Sequence, residues 1–223
     1  MDWTPLILTF KLALITTIIL VVISVPLAYK LAHSKSSLKP IVEALVSMPL
    51  VLPPTVLGFY LLVAFSPSSG LGSWLNEVLG FKLIFSFPGL VFASIIYSLP
   101  FMVHPIQSGF KQVPATIVEA AYVLGKSKWE TLIHVVIPNM KPAIITGMVL
   151  SFAHTIGEFG VVLMIGGNIP GETKVASIAI YDEVEALNYG AANMYSMILF
   201  GISFSILLFV YMFNGKRIMQ FWK

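Results

Sequence analysis

The chain has 223 residues, 57% of them hydrophobic and only 10% charged, with a mean hydropathy of +0.91. Soluble domains carry about 25% charged residues, so most of this surface has to face lipid. A net charge of +3 with no basic patch argues against a nucleic-acid partner, and zero cysteines exclude disulfides, thiolate chemistry and Cys-based metal sites.

A membrane-crossing helix needs ~20 mostly apolar residues, and five stretches qualify. The first, 6–29, follows Met1-Asp2-Trp3-Thr4-Pro5. That start lacks the basic region of a signal peptide, and no small-x-small cleavage site precedes the lysines at 30 and 35, so the segment reads as a retained membrane helix. The second, 41–65, carries Pro53-Pro54. The loop 66–87 is rich in Ser and Gly and holds a short amphipathic piece, Trp74–Leu79. The third stretch, 88–110, sets Tyr97, Pro100, His104 and Ser108 along one face. Pro100 and Pro105 remove backbone donors, so a kink is expected there; either it lets the helix move or it serves packing. Pro53-Pro54 supports the same two readings.

The segment 111–141 predicts two short helices. One starts at Pro114, which suits a first helical position, and ends at Gly125, the residue best able to take a left-handed cap. Ala120 and Ala121 form a small-residue patch that admits a partner's backbone, and Glu119 adds a charge. The other opens on Ser127-Lys128-Trp129-Glu130, which has the form of a capping box, and is broken by Pro138. The fourth apolar stretch, 142–166, places Gly147, Ser151, His154 and Glu158 at i, i+4, i+7 and i+11, a small and polar stripe on one helix face. With Gly157, Pro53 and Pro54, these are the candidate pathway or gate residues. Next comes a loop, 166–189, too polar to span at Tyr181, Asp182, Glu183 and Glu185, and then a fifth apolar stretch, 190–213.

Charge orients the five spans. With the N-terminus outside and the C-terminus inside, the interior segments hold Lys30, Lys35, Lys39, Lys111, Lys126, Lys128, Lys141, Lys216, Arg217 and Lys223, ten of the thirteen basic residues. The reading is an all-α polytopic membrane protein forming a single domain, 1–223. An ionisable group inside a span is a functional candidate, because a central charge costs ~2.5–3.5 kcal/mol even on lenient scales. His33, His104, His134 and His154 form neither a metal site nor a nucleophile–base pair, which argues against an intramembrane enzyme and calls for no cofactor. There is no phosphate-cradling Gly loop with its lysine, so any ATP binds on another chain. A channel or a structural membrane subunit would share these spans.

Glu119-Ala120-Ala121, Gly125 and Val135-Val136-Ile137-Pro138 resemble the cytoplasmic "EAA" loop of bacterial ABC-importer permeases. Met48-Pro49-Leu50-Val51-Leu52-Pro53-Pro54 with Gly58, the run Ser151 to Gly160, and Asn168-Ile169-Pro170-Gly171-Glu172-Thr173 resemble the molybdate-importer branch. The Gly157-Glu158-Phe159-Gly160 segment also occurs in sulfate permeases, and His154 stands where the branch often has Arg. The resemblance implies a type I ABC-importer permease fold in a bacterial or archaeal cytoplasmic membrane. It implies a second copy of the chain, cytoplasmic ATP-binding subunits docked through Glu119, Ala120, Ala121, Gly125 and Pro138, and an external molybdate-binding protein. The implied cargo is molybdate or tungstate, with sulfate or thiosulfate as the alternative. Because molybdate is a dianion, Glu158 is expected to hold helix geometry by accepting hydrogen bonds rather than to bind cargo.

Overall fold

A computed structural model describes residues 2–80 and 82–218; Met1 and Lys223, both used in the sequence reading, lie outside them. Every regular element among the described residues is helical. Helix α1, Thr4–His33, opens with Pro5 in its first turn and closes with Lys30, whose charge suits the carbonyl end. It buries Leu12, Ala13, Leu20 and Ala28, and packs along α5 and α9.

The second apolar stretch is not one straight span. Helix α2, Lys39–Ser47, runs into a 3₁₀ turn, Met48–Leu50, and α3, Pro54–Phe65, leaves at 110°. The double proline explains the break. Pro54 drives Pro53 into extended backbone (ψ 137°), and neither residue has an N–H to continue the ladder.

Helix α4, Gly70–Leu79, is the amphipathic piece of the loop that follows. Helix α5, Phe87–Gln112, is the centre of the bundle and touches α1, α9, α10, α3 and α2. The Ser86 hydroxyl accepts from the Gly89 N–H and sets its start. The helix runs as one element through Pro100 and Pro105.

Two short helices follow, as expected. Helix α6 is Ala115–Val123, with Pro114 just ahead of it, and Gly125 takes φ +78°, the left-handed stop. Helix α7, Lys128–Thr131, passes into a π-turn, Leu132–Val136, and then α8, Ile137–Asn139. Pro138 therefore does not break this helix. The widened turn ahead of it makes room for a ring that would otherwise meet the carbonyl of residue 134. The bend comes after Met140, where α9, Lys141–Gly157, departs at 65°.

The fourth stretch is also divided. Glu158 leaves the helix in extended backbone (ψ 132°), and a separate α10, Gly160–Gly166, follows. The stripe Gly147, Ser151, His154 therefore ends before Glu158, which shares no helix face with it. The polar loop beyond contains α11, Ala176–Glu185, and α12, Tyr189–Ile218, packs on α11 and α9. Among the described residues, three helices (α1, α5, and α12 through Leu208) are long and apolar enough to cross a membrane, or five if each bent pair, α2–α3 and α7/α8–α9, is one crossing.

The two half-helices created by these breaks lie against each other. A Cβ on Gly160 would stand 2.8 Å from the Cβ of Pro54, and one on Gly58 would stand 2.8 Å from the Cβ of Met164. Side chains from α1, α3, α5 and α10 close a shared core beside them, with Leu12, Leu61, Phe65, Leu90 and Ile165 buried.

Candidate functional site

Where the two breaks meet, the chain forms a cavity of about 510 Å³ lined by Pro54, Thr55, Tyr97, Ala153, His154, Gly157, Glu158, Phe159 and Gly160. Glu158, 6% exposed, is fixed on both sides. Its Oε1 accepts the Val161 N–H at 2.9 Å, which caps α10, and its carbonyl accepts the Ser177 hydroxyl at 2.6 Å, which ties the break to α11. Glu158 thus accepts hydrogen bonds at a helix break.

His154 sits between aromatic rings of α5, stacked on Phe101 at 4.0 Å between centroids and tilted against Tyr97 at 4.8 Å. Its Nδ1 is 3.0 Å from Ser98 Oγ, which is 3.0 Å from Thr155 Oγ1, and Thr155 donates to the Ser151 carbonyl at 2.8 Å. The order of protons follows. Thr155 spends its one proton on the carbonyl, so it accepts from Ser98, and Ser98 in turn accepts from Nδ1–H of His154. The chain sets the ring's tautomer and orientation, leaving Nε2 free of it.

The segment 111–141 builds a different surface. Ser127 Oγ accepts the Glu130 N–H at 3.2 Å and Glu130 Oε2 accepts the Ser127 N–H at 2.8 Å, a complete capping box. These bonds to Ser127, with Lys126 3.7 Å away, hold the exposed Glu130 carboxyl below its ordinary value. At the turn between the helices, Val123 and Leu124 are 87% and 80% exposed, and Trp129 is 70% exposed. Three large apolar side chains are thus left exposed at and just after this turn. Behind it, α6 and α7 enclose a cavity of about 380 Å³ with Tyr29, His33 and Phe110 from α1 and α5, and Glu119 lines it. Among the described residues, no group of three or more His, Asp or Glu could hold a metal ion.

Residues 20–218 match the family described as binding-protein-dependent transport system inner membrane component. The chain belongs to this family. It is similar to the molybdenum transport system permease protein ModB of Azotobacter vinelandii, 47% identical over 213 residues that cover 94% of this chain and 93% of that one. It is also similar to a probable sulfate transport system permease protein of Marchantia polymorpha, 33% identical over 205 residues, 91% of this chain and 70% of the relative. Both relatives are transport system permease proteins. Among solved structures, a bacterial alginate ABC transporter in complex with its alginate pentasaccharide-bound periplasmic protein aligns with a TM-score of 0.74 at 17% identity, over 94% of this chain and 76% of that one. The fold is that of ABC-importer permeases.

Within this permease, the structure gathers only part of the predicted pathway set. Pro54, His154, Gly157 and Glu158 line one cavity, and Pro53 is exposed one residue outside it. Gly147 and Ser151 do not reach it. Gly147 is pressed on α5, where a Cβ would stand 3.0 Å from Met102 Sδ, and Ser151 is fully buried with its hydroxyl unpaired. In the loop, Glu119 and Ala120 are exposed but Ala121 is 5% exposed and faces its own chain, so the expected two-alanine patch is a single alanine. Missing from the predicted set were Thr55 at the cavity, Ser98 and Phe101 against the His154 ring, and Val123, Leu124 and Trp129 around the loop turn. The permease sequence did hold a cue for the tip, since Val123-Leu124 is an apolar pair ahead of a turn glycine in a polar loop. Ser98 and Phe101 flank Tyr97 by one residue and one turn, which alone does not separate them from lipid-facing positions.

Proposed function

We propose that the chain is the permease subunit of an ATP-driven importer that moves molybdate or tungstate across the cytoplasmic membrane of a bacterium or archaeon. The observation that carries the substrate is 47% identity with a molybdenum permease over nearly the whole of both chains, against 33% with a probable sulfate permease. The entire chain serves as one membrane unit and pairs with a second copy. Its N-terminus lies outside and its C-terminus inside, a placement supported by ten of thirteen basic residues on the inner side.

ATP is bound and hydrolysed on separate cytoplasmic subunits. They dock on the 111–141 loop, with Glu119, Ala120, Gly125, Pro138 and the exposed Val123, Leu124 and Trp129 at the contact, and the buried Ala121 holding the shape beneath. A binding protein outside delivers the oxyanion. Motion passed through the loop reaches α9 and the break at Glu158, and the cavity opens in turn to either side. Glu158 acts here as a structural cap.

The test is ATPase stimulation in proteoliposomes that contain this subunit and its ATPase. Binding protein is added empty or loaded with molybdate, tungstate or sulfate. Stimulation by the molybdate and tungstate forms alone is the expected result. Stimulation by sulfate would keep the coupling and replace the cargo, and silence in every case would return the channel reading.

A further inference from the structure

Three residues that line the cavity between the two broken helices, the exposed Thr55 and the half-buried Tyr97 and His154, carry polar groups with no hydrogen-bond partner among the described residues. These groups are the hydroxyls of Thr55 and Tyr97 and Nε2 of His154. Thr55 is placed there by the α3 start that Pro53-Pro54 forces, Tyr97 by α5 and His154 by α9, so three separate elements converge. The His154 ring is held by Phe101 and by the hydroxyl chain through Ser98, which leaves Nε2 as its remaining proton site.

We propose that this cavity is the resting place of the oxyanion in transit, with the hydroxyls of Thr55 and Tyr97 donating to it. The inference rests on the importer reading above. A tetrahedral oxyanion presents acceptors only, so groups that donate are its complement, and two of the three here are hydroxyls that always can. No Lys or Arg lines the cavity. Neutral donors hold a dianion loosely, and the Glu158 carboxylate in the same wall repels it; a translocation site has to bind well enough to admit its ion and weakly enough to release it. At about 510 Å³ the space takes the ion with several waters of ~30 Å³ each. The site is a passage contact, distinct from the external protein that selects the cargo.

The test uses the complete importer in proteoliposomes, with molybdate-loaded binding protein, and reads ATP consumed per ion carried. Thr55→Val and Tyr97→Phe each remove a hydroxyl with little change of shape. Each is expected to raise that ratio about fivefold, the factor a single net hydrogen bond carries. Thr55→Ser, which keeps the donor, is expected to stay near the wild-type ratio. A wild-type ratio in both the Val and Phe variants overturns the proposal, even if both rates fall together, because equal losses mark assembly or gating. A Thr55→Ser ratio as high as that of Thr55→Val overturns it too, since the hydroxyl would then be irrelevant. If the wild-type importer itself carries no molybdate, the importer reading fails first, and the ratio is never reached.

Discussion

Glu158 caps the helix that begins two residues after it: its Oε1 accepts the N–H of Val161 at 2.9 Å, while its own backbone is extended. A carboxylate buried among membrane helices is costly to keep, and this bond gives it a structural use where α10 would otherwise start with an unpaired donor. Glu158→Ala is expected to destabilise the protein by about 1–2 kcal/mol, the loss of a cap, and Glu158→Gln by less than half of that because an acceptor remains. Thermal unfolding in detergent measures both. Equal losses in the two variants would show that the carboxylate charge, and not the cap, matters.

The contact between the two half-helices predicts opposite behaviour for two neighbouring glycines. Gly160→Ala puts a Cβ 2.8 Å from that of Pro54, whereas Gly157→Ala meets nothing within 4 Å. Gly160→Ala should cost about 1–3 kcal/mol, in the range of core overpacking, and Gly157→Ala should be close to neutral. Melting temperatures of the two variants, side by side, settle the point.

The loop tip should fail in assembly and not in folding. Val123→Asp and Leu124→Asp change side chains that are almost wholly exposed, so stability is expected to move by no more than about 0.5 kcal/mol. Co-purification of the ATPase subunit is expected to be lost in each. Retention of the ATPase by the double variant would remove this tip from the interface.

Acid should loosen α7. The Glu130 carboxyl is held below the ordinary glutamate value of 4.5 by its bonds to Ser127 and by Lys126. A group whose folded value is depressed adds stability that is complete above its unfolded value and is lost as pH falls through the folded one. Amide-exchange protection of residues 127–131, corrected for intrinsic rates, should therefore fall in the wild type as pH drops below about 4.5. In Glu130→Gln the same segment should start less protected and show no such fall.

The sequence alone determined what depends on neighbours along the chain. Apolar runs located stretches long enough to cross a membrane, because a helical crossing needs about 20 mostly apolar residues, but not the breaks inside two of them. Gly125 at φ +78° and the Ser127–Glu130 box were legible because capping is settled within four residues. The breaking power of Pro138 was misjudged for the same local reason in reverse: a π-turn ahead of it relieved the clash that a regular helix would have suffered.

Only the tertiary structure decided which breaks meet. Pro54 and Gly160 touch because a glycine on each half-helix lets two backbones approach, a match between segments far apart in the chain that no local pattern records. The same packing put Gly147 against Met102 and turned Ala121 inward. It also brought Thr55, Tyr97 and His154 to one cavity, since which face of a helix meets a neighbour is set by what that neighbour offers and not by the helix's own periodicity.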